Sequence, residues 1–266
     1  MIYDFFVYQC RMVRWQSPPT PPFNLITKGT TMPTHYIIGD IHGEYQILLK
    51  LIEKLPKDAK LIFVGDLIDR GLQSREIIAY IREHNYQVVR GNHEQFMIED
   101  GQKLIDLLLA DKEVTMSNIW IFAGGIETLM SYGLLEKQED VYQFVKDLEG
   151  IAQLQDDIEW MKRLPLYIEM KNPYNPKLPI VISHASIGNF WDLEESNYKH
   201  FEFYIMTNRK RPSVDAPIFN IYGHTNVADV LIGQNFVSLD TGCGRSDGSG
   251  KLSAYCVETQ EVVSVG

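Results

Sequence analysis

Cysteine is scarce in this chain: Cys10, Cys243 and Cys256 are the only three among 266 residues. An odd number without framework spacing excludes a disulfide scaffold and fits a reducing compartment, so a cytoplasmic setting is expected. Positive charge is also short, with 25 Lys and Arg against 35 Asp and Glu, a net charge of −10. Such a balance is poorly suited to gripping nucleic acid or anionic lipid by charge, and neither is expected as a partner. A cluster of metal-binding carboxylates could supply part of that acidity. No apolar run of about 18 residues occurs, so no membrane span is expected. The N-terminus lacks the basic start and apolar block of a signal peptide. Internal repeats are absent as well. What is present is an ordinary globular composition, 45% hydrophobic and 23% charged, enough to bury the core of one domain.

Residues 1–31 read differently from the rest. The run Ser17-Pro18-Pro19-Thr20-Pro21-Pro22 cannot enter a helix or sheet interior, because proline has a fixed φ and no amide proton. This stretch is expected to be an N-terminal extension, disordered or upstream of a natural start at Met32; the competing reading is a short arm packed on the domain. Residues 32–266 are expected to form that domain.

From His35 the pattern becomes strand, loop, helix. Tyr36–Ile38, Leu61–Val64 and Gln87–Val89 read as buried strands ending at glycine or close to it. Between them, Ile47, Leu48, Leu51, Ile52 and Leu55 recur at helical spacing and stop before Pro56, and Ile77–Ile81 belongs to a second helix. A long segment from Glu94 to Trp160, including Val141 to Met161, reads as helical and is expected to shape the approach to a site. Strands return at Leu166–Ile168, Ile180–Ile182, Ile218–Tyr222, Val230–Ile232, Phe236–Leu239 and Leu252–Val257, the last ones closely spaced and expected to be antiparallel. The pattern implies an α/β sandwich, two facing mixed sheets flanked by helices.

Five strand-ending loops concentrate Asp, His and Asn: Gly39-Asp40-Ile41-His42-Gly43, Gly65-Asp66-Leu67-Ile68-Asp69-Arg70-Gly71, Gly91-Asn92-His93-Glu94, Ser183-His184-Ala185 and Gly223-His224-Thr225. Loops at strand carboxyl ends are where α/β sheets build ligand sites. Carboxylate, imidazole and amide oxygen together, without thiolate, suit Mn²⁺, Fe²⁺ or Zn²⁺. Asp40 and His42, two residues apart, fall on one side of an extended segment and could chelate one ion, while Asp66 could bridge two. A pair of ions about 3.5–4 Å apart stabilises attacking and leaving oxygens together and yields a hydroxide nucleophile near neutral pH. Arg70 could grip phosphate oxygens in a bidentate fashion. Asp69 and His93 are candidates for an acid pair in which the carboxylate orients the imidazole.

The first three loops resemble the GDxHG, GDxxDRG and GNHE signatures of the PPP-type serine/threonine phosphatases, within the calcineurin-like metallophosphoesterases. The layout from Tyr36 to about Val257 is similar to the bacterial and bacteriophage lambda phosphatase-like branch. The resemblance implies a catalytic domain over residues 32–266 and two divalent metal ions, Mn²⁺ foremost. It implies Asp40 and His42 on the first ion, Asp66 as the bridge, and Asn92, His184 and His224 on the second. Asp69 and His93 would donate a proton and Arg70 would bind phosphate. A second phosphate arginine, preceded in the family by tryptophan, falls at Arg209, where Met206 or Thr207 stands in place of the tryptophan; Arg211 is the alternative. Trp120 with Gly124-Gly125 also resembles that branch.

The implied activity is hydrolysis of phosphoserine and phosphothreonine esters by a metal-bound hydroxide, with phosphotyrosine a further candidate. The substrate would be a phosphoprotein or a small phosphoester. Hydrolysis of symmetrical dinucleoside polyphosphates is the alternative, and Asp240-Thr241-Gly242-Cys243 resembles that branch. A third reading is a catalytically dead binding module, whose mark would be missing ligands; none of the expected ligands is missing. Outside these loops His35, His84 and His200 read as structural or surface residues, Glu94 as a helix-start residue favoured by the helix dipole, Cys243 as a plain loop cysteine, and Trp120, Phe122 and Tyr132 as core. Oligomeric state is left open.

Overall fold

The computed structural model describes residues 34–115 and 117–266. The expected extension over residues 1–31 lies outside the described residues.

Strands β1 (His35–Ile38), β2 (Lys60–Phe63) and β3 (Gln87–Val88) alternate with helices α1 (Tyr45–Lys54) and α2 (Ser74–Glu83). The expected helices are therefore present, and α1 ends where Pro56 forbids continuation. After α3 (Asn92–Phe96) a π-helical turn leads into α4 (Gln102–Leu109), and a second such turn over Ile121–Gly125 leads into α5 (Ile126–Ser131). Next come the hairpin β4 (Leu135–Gln138) and β5 (Val141–Phe144), helix α6 (Leu148–Met161), and strands β6 (Tyr167–Met170) and β7 (Ile180–Ser183). Helices α7 (Leu193–Ser196) and α8 (Tyr198–Thr207) precede β8 (Phe219–Tyr222), β9 (Leu231–Ile232), β10 (Phe236–Ser238), β11 (Leu252–Cys256) and β12 (Val262–Val265).

One sheet has the order β12-β11-β1-β2-β3 and the other β6-β7-β8-β10-β9. Both are mixed: β1, β2 and β3 run parallel, as do β7, β8 and β10, while the outer partners run antiparallel. Strand period explains the layering. Ile37, Ile62, Ile182 and Ile221 point inward, and with Val64, Ile180, Val237, Leu239 and Tyr255 they form a core between the sheets. Their neighbours Tyr36, Ile38, Leu61 and Phe63 face the other way and pack under α1, α2, α4 and α6 with Leu48, Ile78, Ile105 and Ile158. On the far side of the second sheet, Val181 and Ile218 pack with Phe201 and Ile205 of α8. Each such fully buried aliphatic side chain stabilises the fold by roughly 1.5–3 kcal/mol.

The structure corrects three expectations. Val141–Phe144 is a strand rather than helix, pairing with β4 over an edge whose side chains are mostly exposed; α6 starts only after Asp147 caps it by accepting from the Gly150 amide at 2.9 Å. Strand β10 pairs with β8 in parallel, because the chain between them runs out through β9 before returning. Phe122, expected in the core, is 80% exposed, whereas Trp120 and Tyr132 are buried. Helices α7 and α8 were not visible in the sequence pattern, being interrupted by the Asn197 cap, which accepts from His200 N.

Candidate metal centre

The five loops leave the carboxyl ends of β1, β2, β3, β7 and β8. Because strands are parallel within each trio or pair, those ends share an edge. The first two loops are zipped together by backbone bonds: Ile41 and His42 N–H donate to Asp66 O at 3.0 Å each, and Gly71 N–H to His42 O at 3.0 Å. Nine non-glycine residues among those described have positive φ, and five are candidate site residues: His42, Asp66, Asp69, Arg70 and His224. Each left-handed residue costs on the order of 1 kcal/mol, so the backbone strain gathers where the side chains must converge. Two glycines allow the close approach. A methyl at Gly223 would fall 1.9 Å from Asp40 Oδ1, and one at Gly91 2.3 Å from Asp66 Oδ1.

Asp66 stands at the centre. Its Oδ2 is 3.7 Å from His42 Nε2 and 3.8 Å from His93 Nε2; its Oδ1 is 3.4 Å from His184 Nε2. The ligand atoms of His42, Asp66 and His93 lie within 4.8 Å of one another, and so do those of Asp66, His184 and His224. Asn92 Oδ1 is 2.8 Å from His184 Nε2, and His224 Nδ1 is 3.2 Å from it. Asp40 is not part of either group, but it borders the second: both its oxygens accept from His224 N–H, at 3.2 and 3.1 Å. The six expected ligands are thus brought together in one buried region.

The donor set fits a divalent cation. His42 Nδ1 donates to Ile68 O at 3.0 Å and His184 Nδ1 to Val64 O at 2.9 Å. Each ring therefore turns a bare Nε2 lone pair inward, the tautomer a metal ligand needs. Around His184 Nε2 the carbonyl oxygen of Asn92 and the Asp66 carboxylate converge, acceptor upon acceptor. The buried His224 Nε2 has no partner at hydrogen-bonding distance. Such crowding of acceptors is costly unless a positive charge sits among them.

Charge states divide the histidines. Burial pushes His42 down to about 3 despite the pull of Asp66, burial and His184 push His224 down to about 3, and burial lowers His184. Neutral imidazole is the ligating form. His93 goes the other way: burial works to lower it, but the Asp66 charge and the hydrogen bond to Asp69 win and push it up to about 9. Burial opposes ionisation of Asp66, yet the surrounding histidines hold it below the ordinary carboxylate range. Asp40 is pushed well above that range by burial, Asp240 and Asp66.

Asp69 Oδ2 accepts from His93 Nδ1 at 2.7 Å. Arg70 is exposed at the rim with a guanidinium nitrogen 3.4 Å from His93 Nε2. Arg209, also exposed, donates to His224 O at 3.2 Å. Arg211 instead lies beside Asn189 and Tyr222, so the structure brings Arg209 and not Arg211 to the site. Met206 is buried at the end of α8 and lines a 390 Å³ cavity running from Asn92 to Phe203.

Ser74 and Thr128 were not singled out by sequence, and Glu94, Trp120 and Asp240 were named there without a part in building the site. Glu94 does cap α3, accepting from Gly91 N–H at 2.8 Å, but its carboxylate also takes Asp66 N–H at 2.9 Å and Leu67 N–H at 2.8 Å. It braces the central turn. Asp240 is buried and accepts from Gly242 N–H at 3.0 Å and Asn226 Nδ2 at 3.3 Å. Ser74, Trp120 and Thr128 lie behind Asp69 and are taken up below. The Gly91-to-Glu94 spacing carried the signal for Glu94; Thr128 and Ser74 carried none. Cys243 is buried, and burial pushes its thiol up to about 12.

Comparison with known proteins gives the class. The calcineurin-like phosphoesterase profile matches residues 34–228, and the chain belongs to that family. Serine/threonine-protein phosphatase 2 of Escherichia coli is 27% identical over 233 residues, covering 84% of this chain and 92% of its own length. A symmetrical bis(5'-nucleosyl)-tetraphosphatase of Coxiella burnetii is 28% identical over 196 residues, covering 71% of this chain and 53% of its own; this chain spans about half the length of the tetraphosphatases it matches. Among solved structures, the cold-active protein-tyrosine phosphatase of a psychrophilic Shewanella shares the fold with a TM-score of 0.51 at 14% identity, covering 88% of this chain and 78% of its own. The protein is thus a phosphoesterase of a metal-dependent family, with residue groups able to hold metal. No helix among the described residues is long and apolar enough to cross a membrane.

Proposed function

We propose that this chain hydrolyses phosphomonoesters as a serine/threonine protein phosphatase, using two divalent ions, Mn²⁺ foremost. The observation that carries the reading is the two-sided Asp66 carboxylate, one oxygen turned to His42 and the other to His184. Asp40, His42 and Asp66 would hold one ion; Asp66, Asn92, His184 and His224 would hold the other. Bound there, the pair would neutralise phosphoryl charge and make a water acidic enough to attack near neutral pH.

The chain's own residues supply the rest. Arg70 and Arg209 at the rim receive the phosphoryl oxygens. His93 belongs by distance to the His42 and Asp66 group, but its Nδ1 meets the Asp69 carboxylate, where His42 and His184 turn Nδ1 to backbone carbonyls, and a carboxylate there suits His93 to carry a proton on Nε2. As the phosphorus–ester bond breaks, His93 Nε2 passes that proton to the departing oxygen, giving the free alcohol and inorganic phosphate. Arg70 beside His93 keeps the phosphate and the acid in one register. The phosphoprotein would meet the site in a cytoplasmic setting, as cysteine usage supports.

The second reading is symmetrical dinucleoside polyphosphate hydrolysis. It is favoured by the Asp240-Thr241-Gly242-Cys243 segment, which resembles that branch, and by the names of the tetraphosphatase relatives. Turnover of a phosphoserine peptide beside diadenosine tetraphosphate, each with Mn²⁺, Fe²⁺ or Zn²⁺, separates the two. The protein phosphatase reading expects the peptide to be preferred, Asp66→Asn to abolish turnover, and His93→Asn to slow peptide hydrolysis strongly. Full activity in both variants would sink the assignment of roles.

A further inference from the structure

The segment after α4 does more than flank the site. Asp69 is completely buried, and so are Ser74, Trp120 and Thr128. While Asp69 Oδ2 holds His93, its Oδ1 lies 2.7 Å from Thr128 Oγ1 and 3.0 Å from Trp120 Nε1. An ionised carboxylate only accepts, so the proton directions are fixed. Thr128 donates to Asp69, and Ser74 Oγ, 2.9 Å away, donates to Thr128. Asp69 N–H closes the ring, shared between Ser74 Oγ at 3.1 Å and Thr128 Oγ1 at 2.9 Å. The next residue is held from the same side, Arg70 N–H donating to Gly124 O at 3.1 Å. Asp69 and Arg70 both have left-handed backbones, with φ of 73° and 68°; these bonds hold that strained pair in place.

We propose that Trp120 and Thr128 are positioning residues for leaving-group departure: they lock the Asp69 carboxylate from behind, so that His93 presents Nε2 to the departing oxygen. The proposal rests on His93 being the proton donor, as read above. A misaligned acid matters most when the leaving oxygen is strongly basic. Its loss is therefore graded by substrate, which a merely structural defect is not.

The experiment compares phenyl phosphate, a poor leaving group, with p-nitrophenyl phosphate, a good one, in Trp120→Phe, Thr128→Val, Thr128→Ser and His93→Asn. His93→Asn sets the reference, with kcat for phenyl phosphate down on the order of 100-fold and a far smaller loss on the nitrophenyl ester. Trp120→Phe and Thr128→Val are expected to lose about tenfold on phenyl phosphate and under about threefold on the other, without matching changes in KM. Thr128→Ser, which keeps the hydroxyl, restores the ratio. In metal-free protein the downfield Nδ1 proton resonance of His93 is expected to move upfield in Trp120→Phe and Thr128→Val. Equal losses on both esters with an unmoved resonance, while His93→Asn remains selective, would overturn the proposal and leave the acid assignment standing. A non-selective His93→Asn would overturn both.

Discussion

Glu94 offers the sharpest quantitative test of how the centre is built. Its buried carboxylate accepts three backbone N–H groups, from Asp66, Leu67 and Gly91, at 2.8–2.9 Å. Glu94→Ala orphans all three, and each unpaired buried donor costs about 1–3 kcal/mol. The sum, about 3–9 kcal/mol, is a large share of the roughly 5–15 kcal/mol by which a domain is stable. Glu94→Gln is milder. With its amide oxygen placed where Oε2 now lies, it still accepts from Asp66 and Gly91 but turns a donor toward Leu67 N–H, losing one bond. At about 2–4 °C per kcal/mol for a domain of this size, the melting midpoint should fall by roughly 2–12 °C in Glu94→Gln and by roughly 6–36 °C in Glu94→Ala. The melts should be run in EDTA, so that metal affinity does not enter. A separate calorimetric titration with Mn²⁺ should show affinity weakened about 10–100-fold in Glu94→Gln, because the turn that aims Asp66 is loosened. An alanine variant melting within about 2 °C of wild type would refute the bracing argument.

Gly223→Ala is expected to abolish metal-dependent hydrolysis, since its methyl would occupy the space of Asp40 Oδ1; a variant crystal structure or metal titration showing Asp40 undisturbed would contradict this. Removing metal should destabilise the protein, because ions that bind only the folded state add about 2.7 kcal/mol at a hundred times their dissociation constant, and calorimetry with and without EDTA reads the difference. Arg209→Ala should raise KM for phosphoesters by about tenfold or more, a charge-assisted contact being lost, while Arg211→Ala should leave KM near wild type; the reverse result in steady-state kinetics would move the phosphate arginine to Arg211.

The three loops Asp40–Gly43, Asp66–Gly71 and Asn92–Glu94 were legible because short apolar strands ended in glycine and then in ligand side chains. Each loop's function was carried by neighbours in sequence. His184 and His224 were legible for the same reason, although each stands alone. The architecture followed from short apolar runs alternating with helical spacing; that Ile37 faces the layer between the sheets while Tyr36 and Ile38 face the helices was not legible in an unbroken apolar run and came from the structure. What escaped was whatever depended on distance in space. Thr128 meets Asp69 across 59 residues, and nothing local distinguishes it from any helical threonine. The hairpin β4 and β5 escaped because its strands are solvent-facing and lack the apolar alternation that marks a half-buried sheet. Phe122 escaped because a π-turn, with Gly124 at φ 117°, rotates the helix face between Trp120 and Ile126.

Three turns of the pocket hang from the sheet containing β1 and two from the sheet containing β8, with Ile37, Val64, Ile182 and Ile221 filling the layer between. A cation held among Asp66, His184 and His224 would therefore act as a tie-rod across the sandwich. Thinning that filling with Ile182→Val is expected to weaken Mn²⁺ affinity in a calorimetric titration without touching a single ligand.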